Sequence, residues 1–251
     1  MSAYEALALV YDRLTEDVAY HRWADYIERQ FKRSGREIRT VLDLACGTGS
    51  LSCVLAQRGY EVIGADASAE MLSVAMEKSQ AVEGVRPIFL HQAMEHLDLY
   101  GTVDACICCL DSLNYIPARA LAEGMKKVCL FLEPGGLFLF DIRPPWVLKE
   151  MDGQTFFDER EDLYCIWQAA FEEKGARCRF ALDLFQREES GLWRRSFEEH
   201  VEYAHSLELL HRMMTDAGFL EIRQYGDRKL RAPKAGETRI FFTARKRKDT
   251  I

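Results

Sequence analysis

The residues best placed to do chemistry lie in segment 41–49, where an apolar run ends in an acid and leads into a glycine turn. Asp43 supplies a carboxylate, and Gly47 and Gly49 lack the Cβ atoms that would block a tight turn or a close ligand. A strand, such a turn and a helix together are typical of a nucleotide-binding site. Phosphates favour a turn without a neighbouring anion, so Asp43 favours a cationic ligand. A turn that binds nothing is the alternative.

A second carboxylate, Asp66, ends the next apolar run, 23 residues beyond Asp43. At that spacing an acid reaches the ribose hydroxyls of a bound nucleotide. The contact indicates an adenosine-containing ligand but does not separate NAD from other such ligands. A cap on the following helix is the alternative role for Asp66.

Strand-like and helical runs alternate through the first part of the chain, which predicts a parallel sheet covered by helices. A long N-terminal helix is expected over Tyr4 to Phe31. Later helices are expected over Ser50 to Arg58, from an N-cap at Ser68, and over Leu121 to Leu132 before a turn at Pro134-Gly135-Gly136. The strands are expected at 40–45, 60–66, 86–91, 103–109 and 137–142.

The alternation of strand-like and helical runs ends after Pro144-Pro145, and successive antiparallel strands are expected instead. Phe180, Leu182 and Leu184 would share one apolar face of an antiparallel sheet, and we expect the mouth of the main domain to cover that face. A helix from Ser206 through Ala217 and two closing strands complete the chain. The insert strands are expected at Thr155 to Glu161, Leu163 to Phe171, Arg177 to Arg187 and Trp193 to Tyr203, and the closing strands near Leu220 to Tyr225 and Thr238 to Arg245.

The predicted fold class is therefore α/β: a Rossmann-like, doubly wound sheet, mostly parallel with an antiparallel final strand, and a small antiparallel β insert. We expect a core with an N-terminal helical cap over 1–145 and an insert over the active site at 146–204. Residues 205–251 would complete the core with a helix and a β-hairpin.

The alternate placing of Asp43, Ala45, Gly47 and Gly49 resembles motif I of the class I S-adenosylmethionine-dependent methyltransferases. Segment 64–72 is similar to the region that follows that motif in the family, and Leu132-Glu133-Pro134-Gly135-Gly136 to the turn before the fifth strand. Tyr11-Asp12 and the segment 111–115 narrow the resemblance to small-molecule enzymes. These include sugar amine N-methyltransferases and the bacterial YqeM-like group.

The resemblance implies S-adenosylmethionine as cofactor and S-adenosylhomocysteine as product. Residues 45–49 would wrap the methionine part, Asp66 would bind the ribose and Met71 would face the adenine. The family's adenine-binding acid is missing, because Ala93 stands at its position, so Gln92 or the backbone at Met94 would take that contact. The implied cofactor-binding residues are Tyr11, Asp43, Ala45, Cys46, Gly47, Gly49, Asp66, Ala67, Met71, Gln92, Ala93, Met94 and Leu110.

Polar groups after the fourth strand are expected to face the methyl acceptor, because ligands bind beyond the carboxyl ends of parallel strands. Asp111 and Tyr115 lie there with Asn114, and His200 lies on the final insert strand. Asp111, Tyr115 or His200 could remove a proton from the acceptor. Asp111 could instead cap a helix, and Met71 and Tyr11 could instead be core residues.

Composition narrows the class of protein further. The chain has 251 residues, 48% of them hydrophobic, and can bury one core and a small appended part. Its apolar runs are too short for a bilayer and its first residues do not form a leader, so we expect a cytoplasmic protein without a membrane partner. A formal net charge of -7 opposes a nucleic-acid partner without excluding one.

The eight cysteines lie mostly in apolar strands and are expected to be free thiols. Cys106, Cys108 and Cys109 are close in sequence, but neighbouring residues on a strand point to opposite faces, so no metal site is predicted.

The predicted function is S-adenosylmethionine-dependent methyl transfer, in which a nitrogen or oxygen atom of a small molecule attacks the methyl group by an SN2 reaction. A non-catalytic protein that senses the cofactor or binds a partner is the first alternative, and an NAD-dependent oxidoreductase the second. The sequence leaves the acceptor and the oligomeric state open.

Overall fold

The computed structural model describes residues 6–248, and Tyr4 lies outside them. Within that range the helices are α1 Tyr11–Leu14, α2 Tyr20–Ser34, α3 Ser50–Gln57, α4 Ala69–Ser79, α5 Ala118–Phe131, α6 Pro145–Glu150 and α7 Leu207–Asp216. The strands are β1 Thr40–Leu44, β2 Glu61–Asp66, β3 Ile88–His91, β4 Val103–Cys108, β5 Leu132–Ile142, β6 Thr155–Glu159, β7 Leu163–Glu172, β8 Arg177–Arg187, β9 Trp193–Tyr203, β10 Phe219–Gly226 and β11 Ile240–Lys246. Short 3-10 helices span Met94–His96 and Ser112–Tyr115.

The main sheet has seven strands in the order β10-β11-β5-β4-β1-β2-β3. The strands β1 to β5 are parallel, and β11 is antiparallel to β5 and to β10. A second sheet of four antiparallel strands has the order β6-β7-β8-β9. The predicted fold class is confirmed.

Residues alternate between the two faces of the main sheet, which is why both faces carry helices. In β4, Cys106 packs with α5 and α7, whereas Ile107 packs with α2 and α3. All eight cysteines are unpaired, and within residues 6–248 no cluster of three potential ligands could hold a metal ion. Over the same residues no helix is long and apolar enough to cross a membrane.

The fifth strand begins earlier than expected. It starts at Leu132, directly after α5, and the predicted turn Pro134-Gly135-Gly136 lies inside it. The pairing with β4 shifts register between Val103 and Ala105, so the predicted turn interrupts the ladder inside β5. Pro134 has no N–H to donate to the ladder and Gly135 has a φ of 77°, which suits such an interruption.

The expected single N-terminal helix is wrong. Two helices, α1 and α2, are separated by residues 15–19. The first helix ends at Leu14 after one turn, and the hydroxyl of the capping residue Thr15 donates to the carbonyl of Tyr11. Apolar residues at helical spacing thus serve two packing surfaces, since α2 contacts the sheet and α1 contacts the insert.

The inner face of the insert is covered differently from our expectation. Phe180, Leu182 and Leu184 share the buried face as predicted. Leu182 and Leu184 pack under the N-terminal segment, which contributes Leu7 and Val10, and Phe180 packs against Leu148 of α6. The sequence analysis missed α6, which begins at Pro145 and so has proline at its first position.

Candidate functional site

Two adjoining cavities open at the carboxyl ends of the parallel strands. The larger, about 370 Å³, lies beside β1, β2 and the segment after β3. The smaller, about 40 Å³, lies between the glycine turn and the end of β4. The larger cavity is lined by Tyr11, Leu44, Ala45, Gly47, Asp66, Ala67, Ser68, Met71, Gln92, Ala93, Met94, Glu95, Ser112, Tyr115, Ile116 and Pro117. The smaller is lined by Tyr11, Tyr20, Asp43, Ala45, Cys46, Gly47, Thr48, Ser50, Leu51, Cys109, Leu110 and Ser112.

Asp66 ties the end of β2 to the glycine turn. Its Oδ2 accepts a hydrogen bond of 2.7 Å from the amide of Gly47, and its Oδ1 accepts one of 2.9 Å from Ser68. Burial raises the pKa of Asp66, although the backbone donors oppose that rise. The helix-cap role belongs to the side chain of Ser68, which accepts from the amide of Met71. Asp66 therefore faces the larger cavity with its geometry fixed by two amides.

Asp43 is almost fully buried next to the smaller cavity. Its Oδ2 accepts a hydrogen bond of 2.5 Å from the hydroxyl of Ser52. Burial raises the pKa of Asp43 to about 7, against the opposing effect of the Ser52 hydrogen bond. The serine at the place of a third glycine is thus the partner of this carboxylate. A cation arriving in the smaller cavity would favour the ionised form.

Glycines let the turn lie against the neighbouring strand. A Cβ on Gly49 would lie 2.9 Å from both Ala75 and the ring of Phe89, and one on Gly64 would lie 2.6 Å from the same ring. Gly49 therefore supports the turn and is not among the cavity-lining residues. Gly47 has a φ of 55° and open space where a Cβ would be, so it leaves room at the cavity wall.

The first described helix forms one wall of both cavities through Tyr11. Burial raises the pKa of Tyr11, so its phenol stays protonated at neutral pH. The neighbouring Asp12 accepts a hydrogen bond of 2.6 Å from Thr48 and pairs with Lys78 at 2.6 Å. These contacts fix α1 against the glycine turn.

At the far end of the larger cavity lie Gln92, Ala93 and Met94, as the resemblance implies. The amide of Gln92 is already bonded twice to the backbone of Asp98, at 3.1 and 2.9 Å. Met71 lines the cavity although it is buried, so it is both a wall residue and a core residue.

Asp111 lies outside both cavities and is paired with two arginines. The carboxylate contacts Arg143 at 3.1 Å and Arg239 at 2.7 Å. Burial would raise the pKa of Asp111, but the two guanidiniums outweigh it and hold the pKa below its usual value. Such a carboxylate is a poor proton acceptor at neutral pH. Its side chain does not cap the 3-10 helix that follows.

Leu110 and Asp111 both have left-handed backbones, with φ values of 62° and 54°. Asp141, at the end of β5, accepts hydrogen bonds from both of their amides, at 2.8 and 3.0 Å. That carboxylate holds a conformation that costs roughly 1 to 3 kcal/mol for each residue. The strained pair shapes the end of β4 beside the smaller cavity.

Tyr115 lines the larger cavity, whereas His200 and Asn114 are not among its wall residues. His200 lies 3.1 Å from Oε2 of Glu198 and packs edge-on to the ring of Tyr115 at 6.4 Å. The amide of Asn114 is used structurally, because it bonds the backbones of Arg143 and Tyr203. Asn114 therefore joins the insert to the core rather than facing an acceptor.

The sequence of the chain was compared with protein families and with known proteins. A methyltransferase domain family matches residues 41–136. Over 99% of both chains, the sequence is 34% identical to YqeM of Bacillus subtilis (strain 168), whose name assigns it to the methyltransferases. The chain belongs to the class I methyltransferases.

Solved structures agree with this assignment. A crystal structure of an S-adenosylmethionine-dependent methyltransferase from Clostridium acetobutylicum matches this methyltransferase with a TM-score of 0.86 and 27% identity, and covers 98% of this chain and 100% of that one. The sugar N-methyltransferase KedS8 from Streptoalloteichus shares the fold, with a TM-score of 0.78, 20% identity, and coverage of 95% and 93%.

The cofactor of this methyltransferase is S-adenosylmethionine, and the product is S-adenosylhomocysteine. The residues present suit it, because open space at Gly47 and a fixed carboxylate at Asp66 border the larger cavity while Asp43 borders the smaller one. The NAD-dependent oxidoreductase alternative is wrong, and the non-catalytic alternative is not retained, since the family assignment identifies an enzyme.

The sequence analysis missed a buried cluster behind the strained pair. Asp141, Arg143, Arg239 and Glu202 join Asp111 there. Asp141 at the carboxyl end of β5 was open to the same argument that singled out Asp111 at the end of β4. Nothing in the sequence pairs Arg239 or Glu202 with these residues, since their positions are far apart along the chain.

Proposed function

We propose that the methyltransferase moves a methyl group to the nitrogen of a small-molecule amine by in-line SN2 displacement. The observation that carries the proposal is the paired crevice, in which a larger cavity bordered by Asp66 meets a smaller one bordered by Asp43. When bound, the cofactor supplies a sulfonium methyl group, a carbon electrophile that an amine lone pair attacks.

In this proposal the larger cavity holds adenosine and the smaller holds the methionine end. Asp66 accepts hydrogen bonds from the ribose hydroxyls while it keeps its bonds to the two backbone amides. Met71 contacts the adenine, and Gln92 or the backbone at Met94 replaces the usual acid. The carboxylate of Asp43 lies near the ammonium group, and burial of both charges strengthens their attraction. Ala45, Cys46, Ala67, Ala93 and Leu110 supply wall contacts.

The acceptor would enter between Tyr115 and the insert. Tyr11 and Tyr115 both reach the larger cavity and would exclude water while the reactants align. We propose that the insert covers the active site as a roof. The core then consists of 1–145 and 205–251, and the insert of 146–204. Pocket shape at that roof would then select the acceptor.

An amine is favoured over a hydroxyl because two of the three predicted bases, Asp111 and His200, are poorly suited to activating an alcohol. Asp111 is held ionised by two arginines, and His200 is bonded to Glu198 away from the cavity wall. A neutral amine attacks without loss of a proton, whereas a hydroxyl needs help. The fold shared with a sugar N-methyltransferase also supports an amine acceptor. Methylation of oxygen is the second candidate.

The test uses radiolabelled S-adenosylmethionine with fractionated metabolites, proteins and RNA from cells. We expect label in a small-molecule fraction, on an amine that resists ester and ether cleavage. A melting-temperature measurement runs in parallel, in which S-adenosylhomocysteine raises the midpoint and NADH does not. Label found in RNA or protein instead would contradict the small-molecule proposal.

A further inference from the structure

Glu202 carries a buried carboxylate oxygen that has no hydrogen-bond partner within residues 6–248. The residue lies on β9 opposite Cys178, on the inner face of the insert, and its side chain is 1% exposed. Its Oε1 accepts a hydrogen bond of 3.0 Å from Arg143, which leaves Oε2 alone. A buried charged oxygen without a partner is costly, so its persistence points to a ligand that completes it.

The charges around Glu202 leave one negative charge unbalanced. Three carboxylates, those of Asp111, Asp141 and Glu202, meet two guanidiniums, those of Arg143 and Arg239. Arg239 contacts both aspartates, and Arg143 bridges Asp111 to Glu202. Asp141 and Glu202 are the two ends of this chain of contacts, and of the two only Glu202 keeps a buried oxygen without a hydrogen-bond partner among residues 6–248. One proton or one additional cation would neutralise the cluster.

The groups that face Glu202 set its protonation. Burial raises the pKa of Glu202 to about 7, Arg143 lowers it, Asp111 raises it, and Tyr115 and Arg239 lower it. A carboxyl group with a pKa near the working pH can both accept and return a proton. Asp111 cannot do so, since its arginines hold it ionised.

Tyr115 connects this carboxylate to the cavity. Its ring lies edge-on to the ring of His200, 6.4 Å away, two positions before Glu202 on the inner face of β9, and it also lines the larger cavity. The inner face of β9 therefore contacts a residue of the cavity wall, so Glu202 lies behind Tyr115 rather than on the wall itself. Glu199 on the same strand behaves differently, because it is exposed and pairs with Arg179.

We infer that the free Oε2 of Glu202 binds the protonated amino group of the acceptor and takes one proton from it. The inference rests on the proposed function, and it identifies the acceptor as an amine that arrives as its ammonium form. Before transfer, one N–H bond breaks, its electron pair stays on nitrogen, and its proton forms an O–H bond on Glu202. The nitrogen then bonds to the methyl carbon as the carbon–sulfur bond breaks and its electron pair stays on sulfur.

The test uses a ring-borne amine and its neutral counterpart, cyclohexylammonium and cyclohexanol, with the full-length protein saturated with S-adenosylhomocysteine. Calorimetry is expected to show that the wild-type protein binds the ammonium probe more tightly than the alcohol. Glu202→Gln should weaken ammonium binding on the order of tenfold or more, because a charge-assisted hydrogen bond is lost. The matched control Glu199→Gln should keep the wild-type preference, and Glu202→Gln should still bind S-adenosylhomocysteine.

The pH dependence of the wild-type protein gives a second readout that needs no variant. The probe stays protonated between pH 6 and pH 8, so its binding should strengthen on the order of tenfold across that range as Glu202 ionises. Equal binding of the two probes, a preference that survives Glu202→Gln, or binding independent of pH would each overturn the inference. Failure of S-adenosylhomocysteine to bind would instead contradict the proposed function.

Discussion

The carboxylate of Asp66 accepts a hydrogen bond of 2.7 Å from the amide of Gly47, so the end of one strand holds the turn that follows its neighbour. Sheet pairing alone leaves this turn free to adopt several shapes. The contact fixes the turn before any ligand arrives, which reduces the ordering cost of binding.

Replacing Asp66 with alanine is expected to abolish measurable binding of S-adenosylmethionine in calorimetry. The proposed ribose contact and the anchor of Gly47 are lost together, and hydrogen bonds to a carboxylate are worth roughly 1.5 to 3 kcal/mol each. The control is Asp98→Ala, which removes an exposed carboxylate and should leave the affinity unchanged. Wild-type affinity in Asp66→Ala would refute the ribose assignment.

Replacing Asp43 with asparagine is expected to stabilise the empty protein above neutral pH while weakening cofactor binding. Burial raises the pKa of Asp43 to about 7, so the folded state holds a proton that the unfolded state loses near pH 4. Ionising the buried group thus costs stability as the pH rises through that window. We expect urea unfolding to show that the free energy of unfolding of the variant, relative to that of the wild type, is higher at pH 8 than at pH 5.

Asp104 provides a control, because its pKa is lowered whereas that of Asp43 is raised. Burial acts to raise its pKa, but hydrogen bonds from Thr40, Arg39 and Arg36 outweigh it and lower the pKa. Its contribution to stability is complete above the unfolded value near pH 4, so the loss caused by Asp104→Asn should be the same at pH 5 and pH 8. An Asp43→Asn variant whose advantage does not grow between these pH values would argue against a buried, protonated carboxyl group.

Replacing Gly49 with alanine is expected to destabilise the protein more than the same change at Gly35. Both glycines have left-handed backbones, with φ values of 71° and 67°, so both substitutions incur the same backbone strain. Only at Gly49 would the new Cβ also meet Phe89 and Ala75 at 2.9 Å, whereas Gly35 has nothing within 4 Å. The excess loss, on the order of 1 to 3 kcal/mol in urea unfolding, measures overpacking. Equal losses at the two sites would show that the turn can move away from β3.

Replacing Glu198 with alanine is expected to release the N-terminal segment. Its Oε1 accepts hydrogen bonds from the amides of Ala6 and Leu7, at 2.6 and 3.1 Å, on a side chain that is itself buried. Hydrogen exchange at Leu7 should become at least about tenfold faster, since bonds to a carboxylate are lost. The exposed Glu199→Ala serves as control, and protection that persists in Glu198→Ala would show that apolar packing alone holds the segment.

Local features were predictable from sequence because their causes are local. Ser68 and Ser206 accept hydrogen bonds from the amides three residues later, as the helix starts indicated. The order of strands and helices followed from periodicity in the same way. The start of β5 at Leu132 was missed, since the proline and two glycines that follow favour a turn outside a strand.

The site was predictable only where one segment builds it. Asp43 lies near the end of β1 and Gly47 follows that strand, so spacing alone placed them at the cavities. The charge cluster was not predictable, because Arg239 reaches Asp111 across the sheet and Glu202 reaches Arg143 from the insert. Such partners are brought together by tertiary folding, which leaves no periodic signal in the sequence.

Residues 6–14 touch the roof and the crevice at once, through Leu7 against the insert and Tyr11 at both cavities. A donor that displaced this segment would therefore also disturb the insert surface that we propose the acceptor meets. By thermodynamic linkage, the factor by which donor binding changes the affinity for the acceptor equals the factor by which acceptor binding changes the affinity for the donor. A segment of nine residues would thereby let the enzyme favour the complex with both ligands over complexes with one.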